Sequence, residues 1–336
     1  MDSEALRHPS NGIWLCGHHA DLIDKKSGLR YPPTVIKSWK ALHEFRTAYE
    51  HSERTSTFGF IRKLEVHNSP LFEPGTSIEL GKTTFLIGGN SSGKTALCDW
   101  ITAIEDPRRL KRWLEPNALA YTLTFDLLSE HQLSIDIKDN VMTTRLDQLE
   151  VVSNHHRIGV VFLEDKRERE YLDDLALFCD SLNLDPITTR TLARYVGGVA
   201  LLEGSEFIVE ESEDGEVVES LYCRLAGRGR LPYGALSSGE KSRVLLEFAI
   251  SYAQSVAKVA PALLIIEWEG LSIDKAGFEF YTEFLSGPSS PFQSIIIRHE
   301  TTALIEGLGW QTYFLDCGSD KYRKVTPILR AEVSRS

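Results

Sequence analysis

The 336-residue chain is 42% apolar and 25% charged, enough for a sizeable core in one large or two modest domains. Its formal net charge of −11 excludes a globally basic, nucleic-acid-coating surface and leaves room only for a local basic groove. No apolar run approaches the roughly 20 residues that span a bilayer, and the N-terminus lacks a basic-then-apolar signal pattern, so a cytoplasmic protein with no membrane partner is expected. Cys16, Cys98, Cys179, Cys223 and Cys317 are scattered without paired spacing, which suits reduced thiols.

Residues 1–55 read as an N-terminal appendage, with Pro32-Pro33 ahead of an amphipathic, helix-like stretch over 34–49. Cys16-Gly17-His18-His19 has metal-ligand residue types, but no second pair follows at zinc-site spacing, so a structural or surface role is expected. Residues 56–336 form the main body. Alternating patterns over 58–66 and 77–80 read as strands leading to the short buried strand Thr83–Ile87.

Directly after that strand stands Gly88-Gly89-Asn90-Ser91-Ser92-Gly93-Lys94-Thr95, which fits G-x-x-x-x-G-K-[ST]. Small residues let successive backbone N–H groups curl around nucleotide phosphates, Lys94 can reach the β/γ oxygens, and the Thr95 hydroxyl can hold Mg²⁺. A helical pattern over 94–104 follows, so its N-terminal dipole faces the same phosphates. The candidate nucleotide-binding set is Gly88, Asn90, Ser92, Gly93, Lys94 and Thr95, with Thr95 the metal-side residue.

The basic run at Arg108, Arg109, Lys111 and Arg112, beside Trp113, reads as a solvated helix start after Pro107, with DNA-backbone contact as the alternative. Alternation over 120–125, 132–137 and 158–163 predicts an antiparallel subdomain. Residues 164–202 switch to helical spacing, with Leu172, Leu175 and Phe178 on one face, and predict a helical lid. A hairpin follows, turning at Asp214-Gly215; its acidic residues, among them Glu203, Glu206, Glu210 and Glu219, read as a solvated surface rather than a metal site.

Ser237-Ser238-Gly239 opens a long helical pattern, and small residues at a helix start offer either a plain serine N-cap or a second anion site. A phosphate already held at Lys94 does not need both sites in one subunit. If the second site is real, Ser237, Ser238 and Gly239 face the γ-phosphate held by another copy, and ATP joins a head-to-tail pair.

The two motifs GGNSSGKT, from Gly88, and ALSSGEKSR, from Ala235, together resemble those of ABC-type ATPase heads of the SMC, RecF and OLD-like families, over residues 58–320 or so. The resemblance implies an α/β P-loop fold with a mixed sheet, an antiparallel β-subdomain and a helical lid, binding ATP and Mg²⁺. It also implies a homodimer or higher oligomer formed through ATP, in which Ser237–Gly239 complete the partner's site. Ser238 stands where the families carry the first glycine of the signature pair.

The same resemblance makes the buried run over 261–266 the Walker B strand, which in these families ends in Asp-Glu. Here the sequence reads Ile266-Glu267-Trp268-Glu269. In the preferred alignment Glu267 is the general base and Ile266 replaces the metal-side aspartate; in the other, Glu267 takes the aspartate's place and Glu269 is the nearby base. Gly270 to Asp274 resembles the loop that contacts the opposite subunit, and His299, at the end of the apolar run over 291–297, resembles the switch histidine. The Mg²⁺-touching glutamine of the families has no counterpart at Gln132 or Gln148, and Glu164-Asp165 is the acidic alternative.

The chain lacks the long heptad-rich insertion of SMC heads, and Ser336 follows His299 too soon for a Toprim nuclease, so a compact head is expected. Such a head is implied to be an ATPase that switches a separate effector protein, as in bacterial anti-phage systems. The alternatives are an ATP-locked scaffold without turnover and a DNA-repair ATPase.

Overall fold

The computed structural model describes residues 59–114, 118–126, 130–151, 158–164, 169–211, 217–300, 310–317 and 322–328, with isolated positions elsewhere. Of the appendage it describes helix α1 (Gly17–Asp24); the amphipathic stretch over 34–49 lies, but for isolated positions, outside the described residues.

The described strands form a six-stranded core sheet, a second, antiparallel six-stranded sheet beside it, and a three-stranded ribbon. In chain order, the second sheet takes β1 (Ile61–Asn68) and β2 (Ser77–Glu79), and the core sheet takes β3 (Thr83–Ile87). Next come β4 (Leu119–Asp126), β5 (Glu130–Lys138), β6 (Val141–Leu146) and β7 (Leu149–Val151) of the second sheet. The core strand β8 (Gly159–Leu163) is followed by the ribbon β9 (Leu202–Glu211), β10 (Val217–Leu225) and β11 (Gly229–Pro232). The chain returns to the core with β12 (Ala262–Glu267), β13 (Gln293–Arg298), β14 (Gln311–Asp316) and β15 (Lys324–Pro327). The core sheet has the order β15-β14-β3-β13-β12-β8, the second β2-β1-β4-β5-β6-β7 and the ribbon β11-β10-β9.

One strand departs from the expected grouping. The run over 158–163 does not join the antiparallel subdomain: β8 pairs in parallel with β12, with Phe162 opposite Ile265. The reason is in its side chains, Gly-Val-Val-Phe-Leu, an unbroken apolar run that tolerates burial on both faces, as parallel strands require.

Alternating side chains of the core sheet serve two cores. Phe85, Ile87, Val161, Leu163, Leu264, Ile266 and Ile296 face the lid and the helices α5 (Ser238–Ala257) and α6 (Lys275–Ser286). Leu86, Phe162, Leu263, Ile265, Ile295 and Ile297 face the antiparallel sheet and α2 (Lys94–Thr102).

The lid is two short helices, α3 (Asp174–Leu182) and α4 (Pro186–Ala193), each started by an aspartate cap, Asp173 and Asp185. Leu175 and Phe178 are buried as expected, but Leu172 is 67% exposed, because the helix begins after it. Glu247 on α5 is fully buried. Its carboxylate accepts hydrogen bonds from the Leu201 and Leu202 amides and from the Tyr281 hydroxyl, at 2.7, 3.0 and 2.6 Å, fastening the lid's exit to α5 and α6.

Candidate functional site

The phosphate loop leaves β3 and enters α2 through backbone conformations that suit small residues. Gly88 has φ 155° and Gly93 φ 98°. A Cβ at 88 would stand 2.2 Å from the Leu315 carbonyl oxygen, and one at 93 would stand 2.6 Å from the Phe72 ring, so glycine is required at both places. Ser91, between them, is also left-handed at φ 62°. The Lys94 ammonium lies across the loop, donating to the carbonyls of Gly88 and Gly89 at 2.5 and 2.8 Å, and to Ser92 Oγ at 3.4 Å. Burial pushes its pKa down, opposed by the nearby Cys317, Glu267 and Glu269. Asn90 and Thr95 are exposed at the loop and the first turn of α2.

Four core strands deliver their C-terminal ends to this edge of the sheet: β3 brings Gly88, β13 brings His299, β12 brings Glu267 and β8 brings Glu164. Ligand crevices in open α/β sheets form at such edges. Glu267 continues the alternation of Leu263 and Ile265, which face α2, so its carboxyl shares a neighbourhood with Lys94, Asp99 and Glu164. Burial and the Glu164 charge raise its pKa, while His299 and Lys94 pull it down. Ile266 points the opposite way and is fully buried among Leu264, Phe248 and Ala249. Trp268 follows it into that core, edge-on to Phe278 at 4.9 Å.

The backbone then makes a short 3₁₀ turn, Trp268–Gly270, which swings Glu269 outward. Its carboxylate accepts the His299 amide at 2.8 Å and lies 3.5 Å from Arg298 Nε. Sequence reasoning missed one buried acidic neighbour. Asp99, buried on α2, pairs with Arg112 at 2.5 Å and Arg109 at 3.7 Å. Glu164 pairs with Arg109 at 3.3 Å and Lys166 at 3.2 Å. Glu164, the acidic alternative at the end of the run over 158–163, stands at the end of the core strand β8. Gln132 and Gln148 belong to the antiparallel sheet and its turn.

Ser237, Ser238 and Gly239 gather in a separate cluster at the start of α5. Ser237 is the N-cap of a capping box with Glu240, its hydroxyl accepting the Glu240 amide while Glu240 accepts the Ser237 amide at 2.9 Å. Ser238 Oγ donates to Ser272 Oγ at 3.0 Å, the Ser272 amide donates to Ser242 Oγ at 2.9 Å, and Arg243 meets Asp274 at 2.7 Å. The segment over 270–274 is thereby bound to the start of α5. Among the described residues no group of three or more His, Cys, Asp and Glu side chains is arranged to hold a metal, and Cys16 is exposed.

A phosphate-loop strand–helix unit in a mixed core sheet, flanked by an antiparallel sheet and a helical lid, is a fold that this chain shares with solved SMC and RecF heads. The SMC head domain from Thermotoga maritima matches with a TM-score of 0.52 at 16% identity, over 80% of this chain and 99% of that one. An Smc head bound to the C-terminal domain of ScpA, derived from Pyrococcus furiosus, matches at 0.54 and 14%, over 81% and 96%. The recombination mediator RecF with ATP matches at 0.53 and 12%, over 83% and 100%. No protein-family model and no curated protein matches the sequence.

Proposed function

We propose that the protein binds ATP at the phosphate loop and that two copies close head-to-tail around it, each presenting Ser237–Gly239 to the nucleotide of the other. The observation that carries this reading is the phosphate loop itself: Gly88 and Gly93 where no side chain fits, Lys94 lying across it, and the start of α2 behind it. The solved RecF structure of the same fold was determined with ATP. In support of the two-copy arrangement, the small residues of the signature segment stand in a cluster of their own, tied to Ser272 and Asp274.

The residues present also suit Mg²⁺, since the exposed Thr95 hydroxyl begins α2 and the Glu267 carboxyl faces the same helix. Held by Thr95 and Glu267, Mg²⁺ would supply charge neutralisation for the phosphates. Glu267 fits the metal side, because Ile266 is turned into the opposite core and offers no oxygen. Glu269, held outward against the His299 amide, then fits the base that orients an attacking water, with His299 at the γ-phosphate end. This prefers the second Walker B alignment over the first. Hydrolysis would reopen the pair and switch a separate effector. DNA-backbone binding by the basic run has less support, because Arg108, Arg109 and Arg112 all face carboxylates.

The deciding experiment is ATP binding and light scattering on purified protein. ATP binding with ATP-dependent doubling of mass is expected, both lost in Lys94→Ala; unchanged nucleotide binding in that variant would overturn the reading.

A further inference from the structure

We propose that Cys317 and Arg323, on the hairpin β14–β15, are positioning residues that keep the phosphate loop shaped for anions by fastening the carbonyls of Asn90 and Ser91 on its outer side. This rests on the nucleotide reading above and adds a role for a part of the chain that the motifs do not include.

The hairpin reaches the loop because β14 pairs in parallel with β3, with Phe314 opposite Ile87, and runs on past the end of β3 to Asp316. From there Cys317 Sγ donates to the Asn90 carbonyl at 3.2 Å, and Arg323 Nε donates to the Ser91 carbonyl at 3.4 Å. The hairpin closes on the loop from two other directions. The Leu315 carbonyl occupies the space beside Gly88. The Arg323 amide donates to the Leu71 carbonyl at 2.7 Å and Arg323 bridges to Phe72, whose ring fills the space beside Gly93.

In a planar trans peptide the carbonyl of one residue and the N–H of the next point in opposite directions. Fastening the Asn90 and Ser91 carbonyls outside the loop therefore turns the Ser91 and Ser92 amides inward. The Ser92 N–H so directed reaches the Gly89 carbonyl only at 3.4 Å, a long contact that an anion oxygen can replace. Left-handed geometry at Ser91, φ 62°, builds the concave row of amides that binds anions, and it is unfavourable for a serine without outside support. Both outer hydrogen bonds come from this one hairpin.

The test is calorimetric affinity of the full chain for ATP and for inorganic tripolyphosphate, which shares the phosphates but has no nucleoside. Variants are Cys317→Ala, Arg323→Gln, the double variant, Arg323→Lys, and Thr326→Ala as an exposed control on the same hairpin. Each single variant is expected to weaken both ligands alike, about three- to tenfold for one lost hydrogen bond, and the double variant more. Arg323→Lys restores most of the loss, and ligand-free melting temperatures stay at that of the control. Wild-type affinity in the double variant overturns the proposal. So does a loss for ATP alone, which would make these residues nucleoside contacts, or a loss that follows melting temperature and is not rescued by lysine. Wild-type protein that binds neither ligand overturns the nucleotide reading, and this inference with it.

Discussion

The carboxylate of Glu269 is held by the backbone amide of His299 at 2.8 Å, joining the turn after β12 to the end of β13. Because the donor is backbone, the glutamine isostere can still accept this hydrogen bond. Glu269→Gln is therefore expected to keep ATP binding and head association while lowering phosphate release by about 100-fold or more, the usual weight of a general base. Glu267→Gln is expected to lose the Mg²⁺-dependent part of ATP affinity. If Glu267→Gln instead kept that affinity and alone abolished turnover, the first Walker B alignment would be the right one.

Glu267 also makes a pH prediction. Burial, then the Glu164 charge, raises its folded pKa above the ordinary glutamate value of 4.5. The folded state thus holds its proton more tightly than the unfolded one, and stability falls as pH rises from about 4.5 through the raised folded value, then stays level. Glu267→Gln removes this penalty. Its melting temperature should exceed that of the wild type at pH 7 without nucleotide, and the gap should shrink towards pH 4.5.

At Glu247 a buried carboxylate satisfies two amides and the Tyr281 hydroxyl. Glu247→Ala leaves two buried donors and one half-buried donor without an acceptor, so a loss of about 3 kcal/mol is expected in denaturant unfolding. Tyr281→Phe removes one of the three contacts and should cost about 1 kcal/mol.

The signature segment gives a test of the two-copy site. A Cβ at Gly239 would stand 3.1 Å from the Ser272 carbonyl, a tight contact that needs a shift of a few tenths of an ångström. Ser238→Arg is expected to leave ATP binding by single subunits intact and to abolish ATP-dependent association in sedimentation. Equal association by Ser238→Arg would remove the signature segment from the interface.

What the sequence made legible was local. The phosphate loop is one contiguous stretch with a buried strand before it and a helix after it, and each neighbour can be read from a few residues. The capping of α5 by Ser237 and the buried run of β12 were legible for the same reason. The place of β8 was not, since its neighbour β12 lies roughly a hundred residues later and pairing across such distances leaves no periodic mark. Glu164 was read at the end of the run over 158–163, but not as part of the core-sheet edge. Cys317 and Arg323 touch the loop across separations of 227 and 232 residues, and nothing near either residue announces the contact. Leu172 failed for a simpler reason: the helical period was carried past the Asp173 cap, where the helix has not yet begun.

The helix behind the phosphate loop is enclosed on nearly every side. Eight of the nine residues of α2 are buried, Trp100 stacks on Tyr121 at 5.7 Å and meets Phe72 and Trp113 edge-on, and the Tyr121 hydroxyl donates to the Trp100 carbonyl at 2.6 Å. Such a helix has nowhere to go when a ligand arrives. The two faces of the core sheet are thus covered unequally: one by a helix locked in aromatic packing, the other by two short helices and a ribbon fastened to α5 through Glu247.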